Sequence, residues 1–175
     1  IALAYGLGWT WTGCQPKTTE QPNQKETAIE VGHTQPLNLS DCNVCLPGIT
    51  FTQALNGGDT CITQKENGVL EFRCTEGRDI FSDPNGKLSN NTIPMLLASI
   101  DNTKPFTLTA KVTPGFTEEG LYNAADLFVF ANDTLWQKLC FEQDERGRHR
   151  IVTVRTRGTS DDNNHERLDT CTVYL

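Results

Sequence analysis

Apolar and polar residues alternate along much of this chain, and the period is two. In Leu135-Trp136-Gln137-Lys138-Leu139-Cys140-Phe141-Glu142, the odd positions point one way and the even positions the other. That is the side-chain period of a β-strand. Leu139 and Phe141 suit a core. Trp136, Lys138 and Glu142 give the other face an aromatic plate, a cation and a carboxylate. Phe106, Leu108, Ala110 and Val112 alternate without a miss and predict a second strand with these four inward.

Further strands are predicted at 48–52, 69–74, 127–130 and 150–155. Met95-Leu96-Leu97-Ala98-Ser99-Ile100 is a short apolar run, open between a buried strand and a helical turn. Turn signals separate the strands: Asp83-Pro84-Asn85-Gly86, Asn132-Asp133 and Asp144-Glu145-Arg146-Gly147. No segment has a convincing helical period. Short strands between turns predict an all-β, antiparallel sandwich. The last segment, 168–175, alternates like a strand inside a domain and then stops, which predicts that the domain continues beyond Leu175.

The front of the chain reads differently. Residues 1–8 are apolar and small, and Trp9-Thr10-Trp11-Thr12-Gly13 leads to Cys14. An apolar run ending in small residues before a cysteine is the pattern of a bacterial lipoprotein signal, cut before a cysteine that then carries lipid. The basic start of such a signal is missing, and Trp11 stands where Leu is usual. An ordinary secretory signal or a buried strand is the alternative. Residues 15–27 hold no large apolar side chain, so they predict a tether without a core of its own. Stretched out, roughly 20 residues reach about 70 Å. The expected organisation is a partial signal at 1–13, a lipidated Cys14 and tether over 14–43, and an incomplete sandwich over 44–175.

Composition narrows the partners. The 175 residues carry a net charge of −7. With no Lys/Arg run, such a chain repels phosphate backbones, so nucleic acid is not expected. No apolar run approaches the ~18 residues of a membrane span, so membrane contact is expected through the lipid anchor only. The seven cysteines stand at 14, 42, 45, 61, 74, 140 and 171. Without Cys14 six remain, which permits disulfides outside the cytoplasm. The spacing does not suit zinc, so buried thiols or one or two disulfides are expected.

From Pro94 through Asp162 the residues resemble a known family. The apolar Pro94-to-Leu97 run precedes the strand at Phe106. Then come Tyr122-Asn123-Ala124-Ala125-Asp126-Leu127, the Trp136-to-Glu142 strand, and Val152-Thr153 closing in Ser160-Asp161. These are similar to the motifs of domain of unknown function 1349, also called regulation-of-enolase-like, in the concanavalin A-like superfamily. The likeness spans about 130 residues, from about Leu46 to the end. Asp126 and Cys140 stand where that family has Gly, and Asn123 where it has Asp. A later Tyr-Ser-x-Asp-Gly-x-x-Trp hairpin of the family is not in this sequence. The resemblance implies a jelly-roll sandwich, a fold shared with lectins, laminarinase-type hydrolases and accessory domains of glycosidases.

On such a fold, Trp136, Lys138 and Glu142, with Thr153 and Arg155 of the next strand, are expected to line a concave groove for a polysaccharide or oligosaccharide. Aromatic plates suit the CH face of a sugar, and charged groups suit its hydroxyls. A plain cross-strand ion-pair ladder is the alternative. Glycoside hydrolysis needs two carboxylates a few ångströms apart, and no dedicated pair is visible. Glu142 is the one candidate acid. Non-catalytic carbohydrate binding at the bacterial cell envelope is therefore expected, with a glycoside hydrolase or a ligand-free interaction domain as alternatives. No cofactor is expected. Asp161 and Asp162, beside Asn163 and Asn164, offer oxygens for calcium. A polar turn is the plainer reading.

Overall fold

The computed structural model describes residues 3–4, 36–117 and 122–175. The expected signal and tether up to residue 35, with Cys14, lie outside the described residues apart from Leu3 and Ala4.

Among the described residues, fourteen strands account for the extended structure. They are β1 (Leu3–Ala4), β2 (Leu39–Leu46), β3 (Ile49–Leu55), β4 (Ile62–Gln64), β5 (Leu70–Phe72), β6 (Ile80–Ser82) and β7 (Ser89–Asn91). Then come β8 (Met95–Leu97), β9 (Lys111–Val112), β10 (Asn123–Asn132), β11 (Leu135–Gln143), β12 (His149–Arg157), β13 (Thr159–Arg167) and β14 (Val173–Tyr174). The only helices among the described residues are two single 3-10 turns, and none is long and apolar enough to cross a membrane. The all-β expectation holds.

The largest sheet runs β1-β10-β11-β12-β13, with β10 to β13 a continuous antiparallel meander. A second sheet runs β2-β3-β8, and three two-stranded pairs, β4-β5, β6-β7 and β9-β14, complete the described fold. Tight turns join the meander where the sequence marks them. Asp144 O accepts the N–H of Gly147 at 2.9 Å, and Gly158, at φ 77°, turns β12 into β13.

Apolar residues gather in two clusters. One joins Leu55, Ile80, Met95 and Leu97 to Phe128, Phe130, Trp136, Cys140, Val152 and Val154. The other joins Val44, Phe51, Ala54, Leu96, Ala98 and Leu127, with Ile62, Leu70, Phe72 and Leu108 against it. Adjacent residues of β8 and of β10 go to different clusters. β8 is therefore covered on both faces, as is β10 at Leu127 and Phe128, which is why these stretches are continuously apolar instead of alternating. The ambiguous run at 95–100 resolves as β8 for this reason.

Several expectations are corrected. The first strand of the folded part begins at Leu39, inside the stretch expected to be tether. The strand expected over 106–112 shrinks to Lys111–Val112, and Phe106 is 49% exposed. Leu108 and Ala110 still pack on the second cluster, and Val112 is buried. The polar turn expected at Asp161–Asn164 is the middle of β13. All six described cysteines are free thiols in this structure.

Candidate functional site

Cross-strand partners in a sheet share a face. Four rows of partners therefore define one face of the β10–β13 meander. They are Phe130-Trp136-Thr156-Ser160, Phe128-Lys138-Val154-Asp162, Asp126-Cys140-Val152-Asn164 and Ala124-Glu142-Arg150-Arg167. The first cluster covers this face. Trp136 is 3% exposed, lies 5.9 Å from Phe128 between ring centroids, and its indole N–H donates to Asp133 O at 3.2 Å. Ser82 of β6 reaches the same face, its N–H donating to Ser160 Oγ at 2.9 Å.

Trp136, expected as an open sugar plate, is thus a core residue. The alternation of β11 was legible, but the burial of its two faces was not. Phe141 is also fully buried, edge-on to Phe116 at 5.0 Å, while Leu139 is only half-buried. Thr153 and Arg155 are corrected too. Gln137 pairs with Arg155 and Leu139 with Thr153, so both leave the sheet on the face opposite Lys138 and Glu142. Arg155 makes an exposed ion pair with Asp161 at 3.5 Å, and Thr153 Oγ1 hydrogen-bonds His165 Nε2 at 2.8 Å. The expected five-residue site is split by the plane of the sheet.

What remains on the covered face is a charged island among apolar side chains. Asp126 and Lys138 are 4% and 7% exposed, and Glu142 is half-buried. Burial pushes the Asp126 carboxyl up, and Lys138 pulls it partly back. Burial opposes the charge on Lys138, but Asp126, then Cys140, Asp79 and Glu142, outweigh it, so its ammonium is held. Burial pushes Glu142 up to about 7, against the pull of Lys138. The island holds one firm positive charge and two carboxyl groups reluctant to ionise.

Among the described residues, two buried polar atoms on this face, Asp126 Oδ1 and Arg150 Nε, have no hydrogen-bond partner, while the Cys140 thiol lies against the Asp126 carboxyl. Arg150 is the direct partner of Glu142, and Asp126 sits diagonally across from it. An unmet acceptor and an unmet donor therefore flank the one carboxyl of the island that is half-open to solvent. Buried polar atoms are almost always paired, so such orphans call for an explanation.

The end of the face is held rigidly. Asp144 Oδ1 accepts the N–H groups of Arg146 and Arg148 at 2.9 and 3.0 Å. Its Oδ2 accepts Arg148 Nε at 2.7 Å and Arg150 Nη2 at 3.2 Å. The guanidinium of Arg148, first of all, keeps this carboxyl far below the usual range. Beside the turn, a cleft of about 280 Å³ is lined by Arg148, His149, Arg167, Leu168 and Cys171 among others. Arg167 is the cross-strand partner of Arg150, so the row from this cleft leads to Glu142. The Asp144 clamp and the Asp126 orphan were missed in the sequence. Asp126 in a family Gly position was the signal for the second.

Asp161 and Asp162 lie on opposite faces of β13, and the two carboxylates therefore do not face each other. Among the described residues no group of three or more His, Cys, Asp and Glu is arranged to hold a metal ion.

The model of the family described as protein of unknown function (DUF1349) matches residues 59–175. No curated protein and no solved structure matches the chain.

Proposed function

We propose, from the premise that the chain belongs to the DUF1349 family, that it binds carbohydrate without cleaving it at the Asp126–Lys138–Glu142 face. The observation that carries this reading is the pair of orphaned atoms on either side of Glu142. A sugar hydroxyl is donor and acceptor at once. Two hydroxyls of one sugar can satisfy both atoms, one donating to Asp126 Oδ1 and another accepting from Arg150 Nε. Lys138 and Glu142 then serve neighbouring hydroxyls, and Trp136 forms the apolar floor instead of an open plate. The cleft at Arg148 and Arg167 is the way in. A concanavalin A-like jelly roll, with the half-open Glu142 end of this face as the ligand's point of entry, is the arrangement that suits the reading.

The sequence adds a location: a lipid on Cys14 tethers the domain at a bacterial cell envelope. The test of binding is affinity electrophoresis of the full chain through gels of soluble β-glucan, xylan, mannan and pectin. Retardation in at least one gel, without release of reducing sugar, supports the reading. Passage through all of them at the rate of a control gel overturns it.

One observation favours a second reading. A carboxyl held at about 7 is half-protonated near neutrality, which suits a general acid. Asp126 stands diagonally across from it on the same face. Sugar release abolished by Glu142→Gln would make this a glycoside hydrolase.

A further inference from the structure

The β4-β5 hairpin has a cysteine on each side of its open end. Ile62 pairs with Phe72, Thr63 with Glu71 and Gln64 with Leu70. Pairing runs one step further, because the Arg73 N–H donates to Cys61 O at 2.7 Å. Cys61 makes that last bond, Cys74 follows Arg73 directly, and the two thiols lie close enough to interact electrostatically. Cys42 and Cys140 donate to the carbonyl oxygens of Phe51 and Val152 at 3.6 and 3.4 Å. Cys45 meets Asn43 Oδ1 and Thr50 Oγ1.

A disulfide needs Cβ atoms roughly 3.8 Å apart and Cα atoms roughly 5.5–6 Å apart, and Cys61 and Cys74 both lie just beyond the paired residues 62–64 and 70–72, where strand alternation no longer fixes their sides. We propose that Cys61 and Cys74 form a disulfide that staples the β4-β5 hairpin when the chain meets a disulfide oxidant. The oxidant is oxidised glutathione or the active-site disulfide of an oxidoreductase. One protein thiolate attacks a sulfur of the oxidant and expels its partner thiolate, giving a mixed disulfide. The second protein thiolate attacks the protein sulfur of that mixed disulfide and expels the remaining thiolate. Two electrons pass to the oxidant, and the two thiol protons end on the two thiols it becomes.

The staple has something to hold. The hairpin has three paired residues on each strand, too few to be stable alone. Yet it carries Ile62, Leu70 and Phe72 onto the second cluster. Its ion pairs, Lys65–Glu71 at 3.0 Å and Arg73–Glu71, are exposed on the basic side and add little. Closing the chain between residues 61 and 74 removes freedom from the unfolded state instead. Burial, and then the neighbouring Cys61 sulfur, push the Cys74 thiol up to about 11. A thiol so seldom ionised suits a slow structural crosslink, not a fast redox sensor.

The experiment uses the full chain, purified reduced and then equilibrated in glutathione buffers from reducing to oxidising. Peptide mapping without reductant is read beside the thermal melt. The expected result is a crosslinked peptide joining Cys61 to Cys74 and a melting temperature higher by several degrees in the oxidised buffer. Cys61→Ala and Cys74→Ala each abolish that rise. Thiols at 61 and 74 that both remain open to alkylation in the oxidised buffer overturn the proposal. So does linkage of either to Cys42, Cys45 or Cys171. The mapping of the unmutated chain decides the matter even where a variant does not fold.

Discussion

Lys138 and Arg155 sit on adjacent strands one position out of register, and so they leave the sheet on opposite faces. Lys138 stands across from Val154, and Arg155 across from Gln137. The lysine enters a covered face with Asp126 and Glu142. The arginine stays in solvent with Asp161. This offset decides which residues can share a ligand.

Trp136 should behave as core. Trp136→Ala removes a ring packed on Phe128 and should cost about 3–5 kcal/mol in denaturant unfolding. Leu135→Ala, one residue away and 42% exposed, should stay within about 1 kcal/mol. Equal losses at the two positions would contradict the burial of the even-numbered face.

Stability should fall as pH rises between about 4.5 and 7. Glu142 has a folded value of about 7 against an ordinary value near 4.5. Below 4.5 both states hold the proton and nothing is lost. Between the two values the unfolded chain ionises while the folded one resists, so unfolding becomes easier, and the loss is complete above 7. With a discount for the half-open position, the swing is on the order of 2 kcal/mol. Glu142→Gln should flatten this slope, melting near wild type at pH 4 and above it at pH 8.

Asp144 works in the opposite direction. Its carboxyl is held far below the ordinary range, chiefly by Arg148, so its contribution is present above about pH 4 and is lost as pH falls below that. Asp144→Ala strips two backbone N–H groups and two guanidinium groups of their acceptor. It should cost about 3 kcal/mol at pH 7. The gap to wild type should narrow in melts at pH 3.

The anchor is tested by labelling. A full-length chain expressed in a bacterial host should incorporate radiolabelled palmitate, and Cys14→Ala should move it to the soluble fraction. A Cys14→Ala chain that stays with the membranes contradicts lipidation at this cysteine.

The strands of the meander were legible because their alternation and their turn residues agree. Trp136 to Glu142 reads as a strand from the sequence, and Asp144 to Gly147 reads as its turn. The identity of the covered face was not legible. Leu139 and Phe141 look more core-like than Lys138 and Cys140, yet Leu135 and Gln137 on their face are exposed while the face of Trp136, Lys138 and Cys140 is buried, because packing from β3, β6 and β8 and not residue type chose the covered side. Register was the second obstacle. Whether Lys138 meets Val154 or Arg155 depends on how the Asp144 clamp closes the turn, and a one-residue slip exchanges the faces. The strand over 106–112 was over-extended because alternation alone does not supply a pairing partner.

The most direct test compares Glu142→Gln with Arg155→Ala in calorimetric titration of a polysaccharide that retards the wild-type chain. Glu142→Gln keeps the side chain's shape and is not expected to weaken the fold at pH 8, so a loss of binding there reports the site. The account predicts at least a tenfold loss for Glu142→Gln, on the order of 1.4 kcal/mol or more, and wild-type affinity for Arg155→Ala. Wild-type affinity in Glu142→Gln with binding lost in Arg155→Ala would place the ligand on the other face and contradict the account.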